Sequence, residues 1–123
     1  MPEAKVNMQW GTLFCPAKTP IQERSLISAG EAQRIETIFK VLANATRLRL
    51  LHALVRSSEL CVTEIAASIG MKPQAVSNQL QRLADRGILS SRREGIQIYY
   101  RIVDPCVVRI LEYGWCLSDE ATV

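Results

Sequence analysis

Three glycines and one proline divide residues 61–102 into a fixed order of short elements, and that order limits the folds open to the chain more than any other feature. The run CVTEIAASIG closes on Gly70, a residue suited to the left-handed terminus of a helix. Pro73 follows, in the first turn of a new helix, where its missing N–H costs nothing. From there Val76, Leu80 and Leu83 recur at helical spacing until Gly87. Two β-like runs, 89–93 and 96–102, then flank Glu94-Gly95, the pattern of a hairpin bent at glycine. A short helix, a tight turn, a longer amphipathic helix and a hairpin are therefore expected in that order.

The rest of the chain supplies helices to pack against this unit. In residues 29–43, Ile35, Ile38, Phe39 and Leu42 repeat at helical spacing. Residues 46–55 carry Leu48, Leu50, Leu51, Leu54 and Val55, apolar on most of the circumference, which predicts a central buried helix with Arg47 and Arg49 near its exposed start. His52 falls inside it and reads as structural. A last helix over 105–117 carries Val107, Val108, Ile110, Leu111 and Trp115. The expected organisation is an arm over 1–24, one domain over 25–118 and a polar, frayed tail over 119–123. The arm is broken by Pro2, Gly11, Pro16 and Pro20, while Trp10, Leu13, Phe14 and Ile21 give it something to bury. The fold class expected is mainly α with a small β part. Hydrophobic residues make up 48 % of the 123, enough for a core, and a domain this small gains from dimerisation.

Several function classes fall away. No apolar run approaches the ~20 residues that span a membrane, and the N-terminus lacks a basic head followed by an apolar stretch. A cytoplasmic location is expected, so Cys15, Cys61, Cys106 and Cys116 read as thiols or metal ligands rather than disulfides. No CxxC is present; any metal site must be assembled from distant segments. Catalysis by a thiol is not expected, because the only histidine has no triad partner and there is no phosphate-binding glycine loop. No small organic substrate is expected either.

What remains points to DNA. A helix that reads base edges needs short polar side chains on one face and an apolar face that fixes its angle. Gln74, Ser77, Asn78 and Gln81 supply the first, since Asn and Gln bond adenine bidentately. Val76, Leu80 and Leu83 supply the second. Lys72, Arg82 and Arg86 flank that helix, Arg92 and Arg93 lie on the hairpin strands and Gln97 stands just past its tip, all suited to phosphates. The net charge of +3 is a weak signal by itself; the clustering carries the argument. The whole is a helix-turn-helix with a wing.

These residues also carry a family resemblance. From Ile35 to Cys116, and most specifically in LANATRLRLL, ELCVTEIA, AVSNQLQRLADRGIL and IYYRI, the chain resembles the ArsR/SmtB family of bacterial metal-sensing repressors. The resemblance implies a winged helix-turn-helix of four helices, two strands and a fifth helix. It also implies a homodimer through the first and last helices, and a repressor that leaves double-stranded operator DNA when its effector binds.

Some members place two sensing cysteines in an ELCVCD motif; here Cys61 keeps the first and Thr63 replaces the second. Other members complete a soft-metal site with arm cysteines, a role open to Cys15. A further family site on the last helix uses Asp and His from two protomers. Here Asp104, Cys106, Cys116 and Asp119 form a similar pattern, with cysteine in place of histidine and a spacing one residue short. Cys106 and Cys116 stand about 80° apart around the helix and about 15 Å apart along it, so an ion joining them needs the partner helix. Four thiols favour soft ions: Hg(II), Cd(II), Pb(II) or As(III). A thiol redox or persulfide sensor on the same scaffold is the alternative.

Overall fold

The computed structural model describes residues 20–121, with side chains described to residue 119. The expected elements are there, with a 3-10 turn and one strand added. A short 3-10 turn, Ile21–Glu23, precedes α1 (Ala29–Leu42), α2 (Ala45–Ser57), β1 (Leu60–Cys61), α3 (Val62–Ile69), α4 (Pro73–Asp85), β2 (Leu89–Glu94), β3 (Gln97–Ile102) and α5 (Pro105–Ala121). The added strand is β1. It makes the expected hairpin a three-stranded antiparallel sheet in the order β1-β3-β2.

Local chemistry sets the boundaries. Ser28 caps α1 by accepting from the Glu31 N–H (3.1 Å), and the Glu31 carboxylate accepts from the Ser28 N–H (3.0 Å). This reciprocal box satisfies two otherwise orphan donors and holds the Glu31 carboxyl below the usual carboxylate range. Asn44 caps α2 through the Arg47 N–H (3.0 Å). Gly70 ends α3 at φ +69°, a conformation that costs a Cβ-bearing residue energy. Gly95, at φ +65°, takes the first of the two positions between β2 and β3, so the bend is Gly95-Ile96 and Ile96 belongs to the tip rather than to a strand.

The core lies where α2, α3, α4 and the sheet meet. Leu50, Leu51, Leu54, Ile65, Val76, Leu80 and Leu83 are at most 1 % exposed, and Leu42, Tyr100, Ile102 and Val107 close it from the sides. Full burial of one such aliphatic side chain is worth about 1.5–3 kcal/mol.

Three expectations need correction. The tail does not fray at 119, because α5 continues through Ala121. Ile21, expected to anchor the arm, is 80 % exposed; Trp10, Leu13, Phe14 and Cys15 lie outside the described residues. Arg47 and Arg49 do not simply mark an exposed helix start. Arg47 donates from Nε to Gln79 Oε1 (2.7 Å) and from Nη1 to the Val41 carbonyl (2.9 Å), and Arg49 donates to the Ile69 carbonyl (3.1 Å). Both tie α2 to neighbouring elements. His52 is half-buried and meets Trp115 edge-on, ring centroids 5.0 Å apart.

Candidate nucleic-acid interface and thiol positions

α4 divides cleanly into two faces. Val76, Leu80 and Leu83 are fully buried, which fixes the rotation of the helix about its axis. That rotation leaves Gln74, Asn78 and Gln81 exposed and Ser77 half-buried on the other side. Lys72 stands exposed just before the helix and Arg82 exposed within it. The polar stripe is ordered by its own contacts: Gln74 donates to Asn78 (3.2 Å) and Gln81 donates to Asp85 (2.9 Å), each one helical turn apart. Such bonds restrict rotamers before any base edge is met.

The hairpin brings a second set beside the first. Arg93 is exposed and Gln97 half-buried at the turn-proximal end of β3. Arg92 has a different situation from the one expected of a phosphate contact. Its guanidinium makes a bidentate pair with Glu59, Nε to Oε2 and Nη2 to Oε1, both 2.8 Å. It also meets Glu94 (2.6 Å) and lies over the Tyr99 ring, 4.8 Å from the centroid. The two carboxylates push the Arg92 pKa up, and Arg92 in turn holds Glu59 below the usual carboxylate range. With two acids and a ring engaged, Arg92 binds the wing to the segment before β1. Sequence alone missed this because Glu59 lies 33 residues away, beyond any periodic signal.

The three thiols among the described residues occupy distinct settings. Cys61 is buried at the junction of β1 and α3. Its N–H donates to the Glu64 carboxylate (2.9 Å), and its Sγ lies 3.2 Å from Thr63 Oγ1, the side chain standing where some relatives carry a second thiol. Across the sheet Cys61 pairs with Tyr99, and Tyr99 pairs with Arg92. Burial pushes the Tyr99 phenol up, and the Cys61 thiol adds to that shift. Cys106 is half-buried in the first turn of α5, where its N–H donates to Asp104 Oδ1 (2.9 Å). Cys116 is exposed in the second half of α5. No group of three or more His, Cys, Asp or Glu side chains placed to hold a metal occurs among the described residues. Ten residues apart on α5, Cys106 and Cys116 are separated by about 15 Å within one chain.

A third feature is apolar. Phe39 of α1, Ala43 just after it, Leu48 and His52 of α2, and Ile110, Leu111 and Trp115 of α5 line a cavity of about 620 Å³. Beside it Ile35, Ile38, Tyr113 and Leu117 are exposed. No described helix is long and apolar enough to cross a membrane.

Comparison with known proteins agrees with this architecture. Residues 44–91 match the family described as bacterial regulatory protein, arsR family. The cadmium resistance transcriptional regulatory protein CadC of Listeria innocua is 30 % identical over 79 % of this chain and 82 % of its own length. A crystal structure of the AntR antimony-specific transcriptional repressor is 64 % identical, covers 88 % of this chain and 97 % of its own, and superposes with a TM-score of 0.77. The homodimeric winged helix-turn-helix DNA-binding domain of a possible ArsR-family regulator from Mycobacterium bovis is 34 % identical. It covers 79 % of this chain and 89 % of its own, with a TM-score of 0.66.

Proposed function

The chain belongs to the arsR family of bacterial regulatory proteins, metal-sensing transcriptional repressors rather than enzymes, and from that premise we propose a homodimeric repressor that leaves its operator when a thiophilic metalloid binds. The observation that carries the DNA half is the division of α4: a polar stripe of exposed Gln74, Asn78 and Gln81 with half-buried Ser77, set by a fully buried stripe of Val76, Leu80 and Leu83. In a dimer, two such helices enter successive major grooves about one turn apart. Lys72, Arg82 and Arg93 meet phosphates, and Gln97 lies beside the tip of the wing.

The dimer reading rests on the exposed apolar side chains of α1 and α5, a surface larger than scattered single residues explain. The homodimeric relative from Mycobacterium bovis supports it. Each protomer then offers Cys106 and Cys116 to the other. Ten residues apart on one helix, they are about 15 Å from each other, so an ion that joins them needs the antiparallel α5 of the partner subunit. Thiolates select soft ions. The relative at 64 % identity is named for antimony, which adds trivalent antimony, an ion the sequence does not single out, ahead of As(III), Cd(II), Pb(II) and Hg(II). Cys61 with Cys15 is the second reading, favoured by the position of Cys61 at the entry of the helix-turn-helix. Release needs a coupling of only about 1–3 kcal/mol, a 5–150-fold change in affinity.

The test is a gel-shift titration of operator DNA with Sb(III) and As(III), thiols kept reduced, on the protein and on its four Cys→Ser variants. Cys106→Ser and Cys116→Ser are expected to retain DNA binding and lose release. Retention of release in both, with loss in Cys61→Ser, transfers the site to the second reading. Operator binding that no thiophilic ion relieves would sink the sensor proposal. Release only after oxidant, with a new disulfide in the mass spectrum, would establish the redox or persulfide alternative.

A further inference from the structure

Near the last turn of α4, three arginines line one cleft. It is about 230 Å³ in volume and is lined by Val41, Arg47, Arg82, Asp85 and Arg86. Arg82 and Arg86 are exposed and one helical turn apart, a like-charge spacing that repels. Arg47 faces them from α2. Its Nε and Nη1 are fixed by Gln79 and the Val41 carbonyl, at 2.7 and 2.9 Å. A guanidinium has five N–H donors, so donors remain on a group already held in place. The one carboxylate lining the cleft, Asp85, accepts from Gln81 (2.9 Å).

A cleft with three arginines and one engaged acid is short of negative charge. The group that fits is a tetrahedral oxyanion, which arginine grips through two parallel N–H bonds. Its place on α4 narrows the source. At about 100° per residue, Arg82 and Arg86 lie about 80° and 120° around the helix from Gln74, and Gln79, the anchor of Arg47, lies at about 140°. The cleft therefore occupies the flank between the base-reading stripe and the protein body, where a sugar–phosphate strand borders a helix inserted in a groove.

We propose that Arg47, Arg82 and Arg86 form a phosphate clamp that grips one backbone phosphate of the DNA strand alongside α4. The inference rests on the reading of α4 as the recognition helix. It adds Arg47 as the preorganised member of the clamp and assigns the three arginines to one phosphate. Free phosphate presents the same chemistry, and the experiment separates the two.

Backbone contacts do not depend on sequence, so a labelled mixed-sequence duplex is a sufficient probe. Fluorescence anisotropy across a salt series is expected to show Arg82→Ala and Arg86→Ala each weakening binding about tenfold. The pair of changes together should lower the slope of log K against log salt by about 0.9, the loss of one phosphate. Arg47→Lys keeps the charge and loses the fork, and is expected to weaken binding as well. Because Arg47 also joins helices, thermal unfolding is followed for every variant. The two surface changes should leave the melting temperature unaltered, so the clamp is judged on them if Arg47→Lys unfolds.

Unchanged affinity and salt slope in the Arg82→Ala/Arg86→Ala variant, with the parent protein binding the duplex, overturns the clamp. So does a rise in melting temperature with millimolar inorganic phosphate that this variant abolishes while its DNA binding stays intact: the cleft would then hold a free anion. Failure of the parent protein to bind any duplex is a different result, since it removes the recognition-helix reading itself.

Discussion

The two halves of this molecule treat apolar side chains in opposite ways. Around α2, α3, α4 and the sheet, seven large aliphatic side chains are at most 1 % exposed. Along α1 and the second half of α5, Phe39 is 53 % exposed, Trp115 55 % and Leu117 69 %. The first half satisfies itself within one chain. The second carries apolar residues at the same helical spacing and leaves them uncovered within one chain. The difference teaches that periodicity locates an apolar face but not what covers it.

Four measurements break or sharpen this contrast. The largest effect belongs to the closed half. Leu80→Ala removes a side chain with no exposure, and is expected to cost about 2–5 kcal/mol in a denaturant titration, the range for truncating a buried leucine. A loss under 1 kcal/mol would mean that α4 is not packed as described.

The open half should respond differently. Phe39→Glu is expected to weaken association by about 2 kcal/mol or more, as for a central interface aromatic. Sedimentation would show monomers, while the circular dichroism of the helices stays unaltered. If the dimer persists, the apolar face of α1 has another use.

Asn78→Ala tests what the closed half is for. The variant should lose about 1–3 kcal/mol of discrimination between operator and mixed-sequence DNA, and little affinity for the latter. Equal loss on both would assign Asn78 to the backbone.

The smallest effect concerns the tie between the wing and Glu59. Arg92 holds the Glu59 pKa below its ordinary value. The tie therefore contributes fully above the unfolded glutamate pKa, about 4.3, and fades as the pH falls through the lower folded value. Hydrogen exchange in β2 and β3 should quicken, relative to its intrinsic rate, only below about pH 4. The same change at neutral pH would show that the carboxylate is not what holds the wing.

Much of the architecture was legible in the sequence because its boundaries are chemical. Gly70, Pro73, Gly87 and Gly95 interrupt the backbone where elements end or begin, and the stripe of Val76, Leu80 and Leu83 sets the rotation of α4. β1 was not legible: two residues carry no alternation to read. Nor were the partners of Arg47, Arg49 and Arg92, which lie 6 to 33 residues away except for Glu94. Of the candidate site, the polar stripe follows from helical spacing. The thiols do not follow from any spacing, because a site shared by two copies leaves no contiguous pattern in one.

The junction at Cys61 has a geometric consequence. The residue that ends β1 is also the one that caps α3, with no linker between sheet and helix. Because α4 in turn packs on both α3 and β2, the wing and the reading helix are jaws of a calliper set to one opening. Such a tool does not adjust to the duplex it meets. Sequences whose grooves are too wide or too narrow must deform to fit, so the stiffness of the DNA itself enters the choice of operator at base pairs that no side chain touches.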